Sequence, residues 1–143
     1  MNFDIFTLCD SAQEYEGRMI IVGTFNTINV TKLPTVYSEF AIAAKITLDQ
    51  EYKKSNSEHT VKIYIKKSDS DLYLLPPFEH KIRTDKTPDF SDLNLVMRFN
   101  GIPIKEDGRY IVTIELDSIK KETNLFVRLH LSNNTKKYNY GRS

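Results

Sequence analysis

Apolar and polar residues alternate along much of this chain with a period of two. Between Phe40 and Leu48 every second residue is apolar, whereas Lys45 and Thr47 fall on the opposite face. Successive side chains of a strand point to opposite sides of a sheet, while a helix would scatter them around its axis. The pattern recurs in segments 61–66, 93–99, 110–116 and 125–131. These five segments predict strands that each bury one face.

Three further regions predict less regular strands. Phe3 to Cys9 is apolar on both faces, which is typical of a central strand covered on each side. Arg18 to Val30 predicts one long strand with a bulge at Gly23, or two strands that meet there. The stretch around Pro76-Pro77 predicts a position at a sheet edge or between the sheets, because proline cannot donate a hydrogen bond to a neighbouring strand.

Turn residues separate these strands and set the predicted fold. Asn100-Gly101 and residues 106–109 predict tight turns, and Asp10 to Glu16 predicts one helical turn at most. Eight or nine strands with little or no helix indicate an all-β, two-sheet antiparallel β-sandwich, immunoglobulin-like or jelly-roll-like. We expect a single domain over residues 1–131, followed by a polar and frayed tail over 132–143.

The composition of the chain disfavours several functional classes of protein. The chain has 143 residues, enough for one apolar core, and its 20 Lys and Arg residues nearly balance 19 Asp and Glu residues. Nucleic-acid binding is therefore disfavoured, because it draws on a basic surface. Cys9 is the one cysteine, which excludes an intramolecular disulfide. Without a secretory leader or a long apolar run, the sequence predicts a cytoplasmic protein with no membrane contact.

Several short motifs resemble an uncharacterised bacterial family of small β-sandwich proteins, a domain of unknown function. They are Phe6-Thr7-Leu8-Cys9-Asp10, Gly17-Arg18, Ile21-x-Gly23-x-Phe25, Phe99-Asn100-Gly101-Ile102 and Gly108-Arg109-Tyr110. The resemblance covers most of the chain apart from the tail. It implies a fold and a bacterial origin, but no activity and no catalytic residues.

Candidate catalytic and metal-binding residues form no recognisable motif. Cys9 has no Gly-rich elbow or helix start beside it, so we interpret it as a buried strand residue. The three histidines are too scattered for a zinc site. The acidic loop residues favour solvated turns over calcium binding, because their spacing does not match an EF-hand; they are Asp69, Asp71, Asp85, Asp89 and Asp92. We predict no catalytic residue, cofactor or metal.

The leading hypothesis is a non-catalytic binding or assembly module whose partner is a second copy or another protein. Its predicted interaction surface combines a basic and aromatic stripe, Lys62, Tyr64 and Lys66, with apolar residues on predicted outer faces, Val96, Ile111 and Phe126. Contiguous exposed apolar patches on a monomer usually mark contacts.

Two alternatives remain open at this level. A small enzyme or carbohydrate-binding sandwich would use a site built by loops, from His80, Arg83, Asp89 and Asp92. A single-stranded nucleic-acid binder would use the stripe of Lys62, Tyr64 and Lys66 and be retained on heparin at low salt.

Overall fold

The computed structural model describes residues 1–49, 58–83 and 92–130. These residues form strands and no helix, which confirms the all-β prediction. The nine strands are β1 (Asn2–Tyr15), β2 (Arg18–Phe25), β3 (Thr27–Val30), β4 (Thr35–Thr47), β5 (Glu58–Lys67), β6 (Tyr73–Arg83), β7 (Asp92–Ile104), β8 (Gly108–Leu116) and β9 (Ile119–Leu129). The predicted tail, residues 132–143, lies outside the described residues.

The strands form two sheets. The first sheet has the order β2-β1-β4-β7, and the second has the order β3-β9-β8-β5-β6. All neighbours are antiparallel except β3 and β9, which run parallel, so the purely antiparallel prediction is wrong at this pair. The chain leaves β2 at Asn26 and enters the other sheet as β3, in the same direction as β9.

One apolar core lies between the two sheets. The first sheet contributes Phe40 and Ile42 among others, and the second contributes Ile63 and Ile114. These side chains are almost fully buried, as the alternation predicts. Each one contributes roughly 1.5–3 kcal/mol by leaving water, so this layer supplies most of the driving force for folding.

The β1–β2 hairpin departs from the first sheet and folds over it. β1 pairs with β4 only from Asn2 to Cys9, although β1 and β2 stay paired as far as Tyr15 and Arg18. We call residues 10–22 the hairpin arm. Its tip, Glu16-Gly17, has positive φ at both positions, as the right-handed twist of a two-residue hairpin favours. The helical turn allowed at 10–16 is therefore wrong.

The hairpin arm covers small residues on the outer face of the first sheet. Ala12, Met19 and Ile21 pack there in a second apolar cluster, whose remaining members are Cys9, Ala41, Ala43 and Val96. Arg98 of β7 donates a 2.6 Å hydrogen bond to the carbonyl of Ala12, across the intervening β4. Small side chains on β4 let the arm approach, because an alanine projects little beyond the backbone.

Two sequence predictions need correction at single residues. Asn100-Gly101 is not a turn but lies inside β7, where the pairs Glu39–Asn100 and Tyr37–Ile102 hold on either side of Gly101. Leu129, predicted on the buried face, is 41% exposed. It lies beyond the last β8–β9 pair, so β8 no longer shields it.

The edge position of the Pro76-Pro77 stretch is confirmed. β6 is the outer strand of the second sheet, and its pairing with β5 jumps from Ile63–Phe78 to Ile65–Leu75. The two prolines bulge there opposite Tyr64, at a point where a central strand would lose hydrogen bonds.

The described residues include no helix long and apolar enough to cross a bilayer.

Candidate functional site

The six residues of the predicted interaction surface do not share one face. Lys62, Tyr64 and Lys66 lie on the outer face of the second sheet, because Val61, Ile63 and Ile65 fill the core. Ile111 of β8 is the ladder partner of Lys66 of β5. Phe126 lies on the same face in β9, the strand on the other side of β8. Val96 lies on the other sheet, half-buried under the hairpin arm. The surface stays a prediction, now divided between two sides of the molecule.

The basic and aromatic stripe is interleaved with acidic residues. Lys62 has Glu79 and Glu115 as its ladder partners on either side. Lys66 Nζ lies 3.2 Å from Asp71 Oδ1. The rings of Tyr64 and Tyr73 meet edge to face at 6.3 Å. Mixed charge of this kind lowers the local positive potential that phosphate contact needs.

The predicted loop site is not assembled by the described residues. His80 and Arg83 lie on strand β6, and Asp92 begins β7. The carboxylate of Asp92 lies 3.7 Å from Lys45 Nζ and accepts a 3.3 Å hydrogen bond from Thr47, on the outer face of the first sheet. His80 lies on the inward side of the other sheet, and Asp89 falls outside the described residues. The loop site stays a prediction.

The reactive side chains considered from the sequence have structural surroundings. Cys9 is fully buried, and its Sγ donates to the carbonyl of Ala41 at 3.7 Å. Burial, and then the charge of Asp10, raises the pKa of the Cys9 thiol. The neutral thiol that results is a weak nucleophile.

The other candidate ligands also have protein partners. His59 is buried, with Nδ1 2.9 Å from Asp117 Oδ2. The same aspartate accepts a 3.0 Å hydrogen bond from the backbone N–H of Thr60 through Oδ1. Asp69, considered for calcium, lies 3.8 Å from Lys67 Nζ. These groups tie strands and turns together.

The side of the molecule between β6 and β7 is open. β6 and β7 are the outer strands of the two sheets and lie at the same side of the core. Phe78 pairs with the buried Ile63 and so projects toward the core, yet it is 51% exposed. On β7, the inward-facing Leu95 and Met97 pack against the core but are only half-buried. We call this open side the β6–β7 groove.

Two adjoining cavities make up the β6–β7 groove. One has a volume of about 370 Å³ and lies between Phe78 and Ile82 on β6 and the segment 94–97 of β7. The other, of about 460 Å³, lies between residues 72–76 and residues 98–103. Both use the same two strands in succession, so the groove follows β7 along most of its length.

The charged lining of the β6–β7 groove is cationic. Lys105 lines the larger cavity. Arg98 borders the same cavity through its position on β7, but its side chain lies on the outer face of the first sheet, where it reaches the carbonyl of Ala12 across β4. No described aspartate or glutamate contributes to either lining. The groove therefore combines apolar walls with a positive end.

Sequence reasoning missed the β6–β7 groove because alternation assigns residues to faces and not to neighbours. Leu95 and Met97 follow the same alternation as fully buried core residues. The one available signal was Pro76-Pro77, which marks β6 as an edge. Nothing in the sequence indicated that β7 is the edge opposite.

Comparison with known proteins places the chain in a family. A family model described as a family of unknown function, DUF6941, matches residues 4–128. The comparison with curated proteins finds no match. A β-glucosidase from Listeria innocua, in complex with gluconolactone, is 8% identical with a TM-score of 0.48, over 89% of this chain and 16% of the enzyme. A β-glucosidase from Erythrobacter marinus is 13% identical with a TM-score of 0.41, over 86% and 15%. The chain thus spans about a sixth of these enzymes, and likeness at this level assigns no activity to it.

Proposed function

The chain belongs to the DUF6941 family of unknown function, and we propose that it is a non-catalytic module that binds a protein partner in the β6–β7 groove. The finer fold, an immunoglobulin-like or jelly-roll-like β-sandwich, is part of the same proposal. A sandwich of this kind would present its ligand site at an uncovered side between the sheets.

One observation carries the proposal. Phe78 projects toward the core and is nevertheless 51% exposed, because a cavity of about 370 Å³ separates it from β7 of the first sheet. An aromatic side chain left half in water forgoes part of the free energy that its burial would supply. A partner that covered the groove would bury Phe78 further and so gain this remaining free energy.

The outer face of the second sheet supports a partner less well. Its aromatic and basic residues already contact one another: Lys62 Nζ lies 5.8 Å from the centre of the Tyr64 ring, and the Arg128 guanidinium lies 6.0 Å from that of Phe126. Acidic residues break up its charge, as Glu115 does beside Lys62. This face resembles a solvated sheet surface protected by lysines.

The test is selection of a random peptide library, displayed on phage, against the wild-type protein. The protein variants Phe78→Lys and Phe126→Lys are then compared for binding of the selected peptides. Both replace a partly exposed aromatic residue on the second sheet by lysine, but only the first one alters the groove. Circular dichroism and thermal unfolding confirm that each variant is folded.

We expect Phe78→Lys to weaken binding at least about tenfold, as loss of a central aromatic contact does, and Phe126→Lys to change it little. The reverse result would move the site to the outer face and overturn the proposal. A library that yields no binding peptide would overturn it as well.

A further inference from the structure

The exposed edge of β7 adjoins the β6–β7 groove along most of its length. Among the described residues, β7 has a hydrogen-bonded neighbour only on its β4 side. It keeps one register with β4 from the Asp92–Thr47 pair to the Ile104–Thr35 pair, without a bulge. Its other side presents backbone N–H and C=O groups, which are a template for a further strand.

The other three sheet edges are shorter or interrupted. β3 has 4 residues, and β2 has 8 residues interrupted by Gly23 at a φ of +68°. β6 has 11 residues but contains Pro76 and Pro77, which cannot donate to a neighbour. β7 has 13 residues, and its own interruptions, Gly101 at a φ of +61° and Pro103, both lie near its end, which leaves Asp92 to Asn100 without one. β7 is thus the described edge best suited to strand addition.

From this edge and the two cations beside it, Arg98 on the outer face of β7 and Lys105 in the larger cavity, and on the basis of the function proposed above, we infer that the β6–β7 groove binds an extended, acidic segment of another protein as an added strand on β7. About ten residues would span β7 from Asn94 to Pro103, since a strand rises about 3.3 Å per residue. Every second side chain would enter the two cavities, which are lined by apolar residues.

The charge of the groove determines the polar side chains of that segment. Arg98 lies on the outer face of β7, so it borders those side chains of an added strand that point away from the cavities; its 2.6 Å hydrogen bond to the carbonyl of Ala12 uses one N–H of a group that has five. Lys105 lines the larger cavity. With no described carboxylate in either lining, carboxylates of the bound segment would complement these cations.

A second copy of this chain fits the groove less well. Antiparallel pairing of β7 with β7 of another copy over its full length would bring the two Arg98 side chains together at the centre of the interface. Like charges at an interface disfavour that partner. The protein alone should therefore sediment as a monomer at micromolar concentration in analytical ultracentrifugation. A dimer that Leu95→Lys dissociates would overturn the inference in favour of self-association.

Three synthetic peptides test the chemistry of the segment. Each has about ten residues, acetylated and amidated ends, and valine alternating with glutamate, glutamine or lysine. We expect the glutamate peptide to bind about fivefold more tightly than the glutamine peptide at low salt, and the lysine peptide to bind most weakly. A glutamate peptide that binds no more tightly than the glutamine peptide would overturn the inference.

Charge reversal of single lysines in the protein tests which cation contacts the glutamate peptide. Lys105→Glu should reduce affinity for the glutamate peptide about fivefold and increase affinity for the lysine peptide. Lys121→Glu is the matched control, since Lys121 is also exposed and does not line the groove. Equal effects of the two substitutions would mean that only net charge matters, and would overturn the assignment of the acid to this groove.

Backbone methylation tests strand addition itself. Two methylated forms of the glutamate peptide are compared, one methylated at the odd-numbered backbone nitrogens and one at the even-numbered ones. Because successive N–H groups of a strand point to opposite sides, one form loses the donors that face β7 and the other loses the donors that face away. We expect one of the two methylated peptides to lose binding and the other to retain it. Equal behaviour would exclude pairing with β7. Groove-dependent library peptides without acidic residues would leave the proposed function in place and remove only this inference.

Discussion

At the scale of single residues, Gly23 marks the corner where the hairpin arm leaves the first sheet. Its φ is +68°, a conformation that costs other residues roughly 1–2 kcal/mol. A Cβ at this position would also overlap the carboxylate of Asp10, which lies across the hairpin. Gly23 therefore combines a conformational requirement with a steric one.

Gly101 offers a matched comparison for Gly23. Its φ is +61°, but a Cβ there would meet open space. We expect Gly101→Ala to lower the free energy of unfolding by about 1–2 kcal/mol, and Gly23→Ala to lower it by at least about 1 kcal/mol more. Urea denaturation measures both, and adding Asp10→Ala to Gly23→Ala should restore part of the difference. Equal losses in the two single variants would contradict the overlap.

Alternation predicted the face of most residues, as Ile42 and Ile63 illustrate, because burial on one side of a sheet is encoded locally. Its errors have tertiary causes. Val96, expected on an outer face, is half-buried because the hairpin arm covers it. Leu129 is exposed because β9 extends beyond its last pair with β8. Both depend on which elements are neighbours, and one sequence does not contain that information.

At the scale of elements, the hairpin arm is a cover over the one cysteine of the chain. Cys9 lies in the cluster between the arm and the first sheet, and Ile21 of β2 packs against this cluster. A thiol reagent can reach Cys9 only when the arm lifts or the protein unfolds. The raised pKa of the thiol, due first to burial and then to Asp10, slows the reaction further.

Cysteine labelling should therefore report on the stability of the hairpin arm. We expect Ile21→Ala to accelerate native-state labelling of Cys9, because it removes apolar contact beneath the arm. Glu16→Asn should slow it, because asparagine tolerates the positive φ of this two-residue turn better than glutamate. Labelling followed by mass spectrometry gives the rates. Ile20→Ala is the control, since Ile20 is exposed, and a similar acceleration in that variant would contradict the proposed contact.

The sequence predicted individual strands better than their pairing. β4 and β8 follow from regular alternation, and β6 follows as an edge from its prolines. The parallel pairing of β3 with β9 was missed, since a four-residue strand carries no signal of its neighbour's direction. The first strand of the hairpin arm, residues 10–15, was missed too, because polar residues such as Ser11 and Gln13 interrupt the apolar pattern of a strand.

At the scale of the whole molecule, the core and the β6–β7 groove should differ in their contribution to stability. Ile114 is fully buried between the sheets, whereas Met97 is half-buried on the groove side. We expect Ile114→Ala to lower the free energy of unfolding by about 2–5 kcal/mol and Met97→Ala by about 1 kcal/mol. Urea denaturation tests this difference. Equal losses would mean that the groove is part of the closed core and unavailable to a partner.

Asn26 alone separates β2 in the first sheet from β3 in the second. Along that border one residue joins the two sheets, whereas the eight residues 84–91 join β6 to β7 at the opposite border. A separation of the sheets therefore has more chain available beside β6 and β7 than beside Asn26, where a single residue limits it.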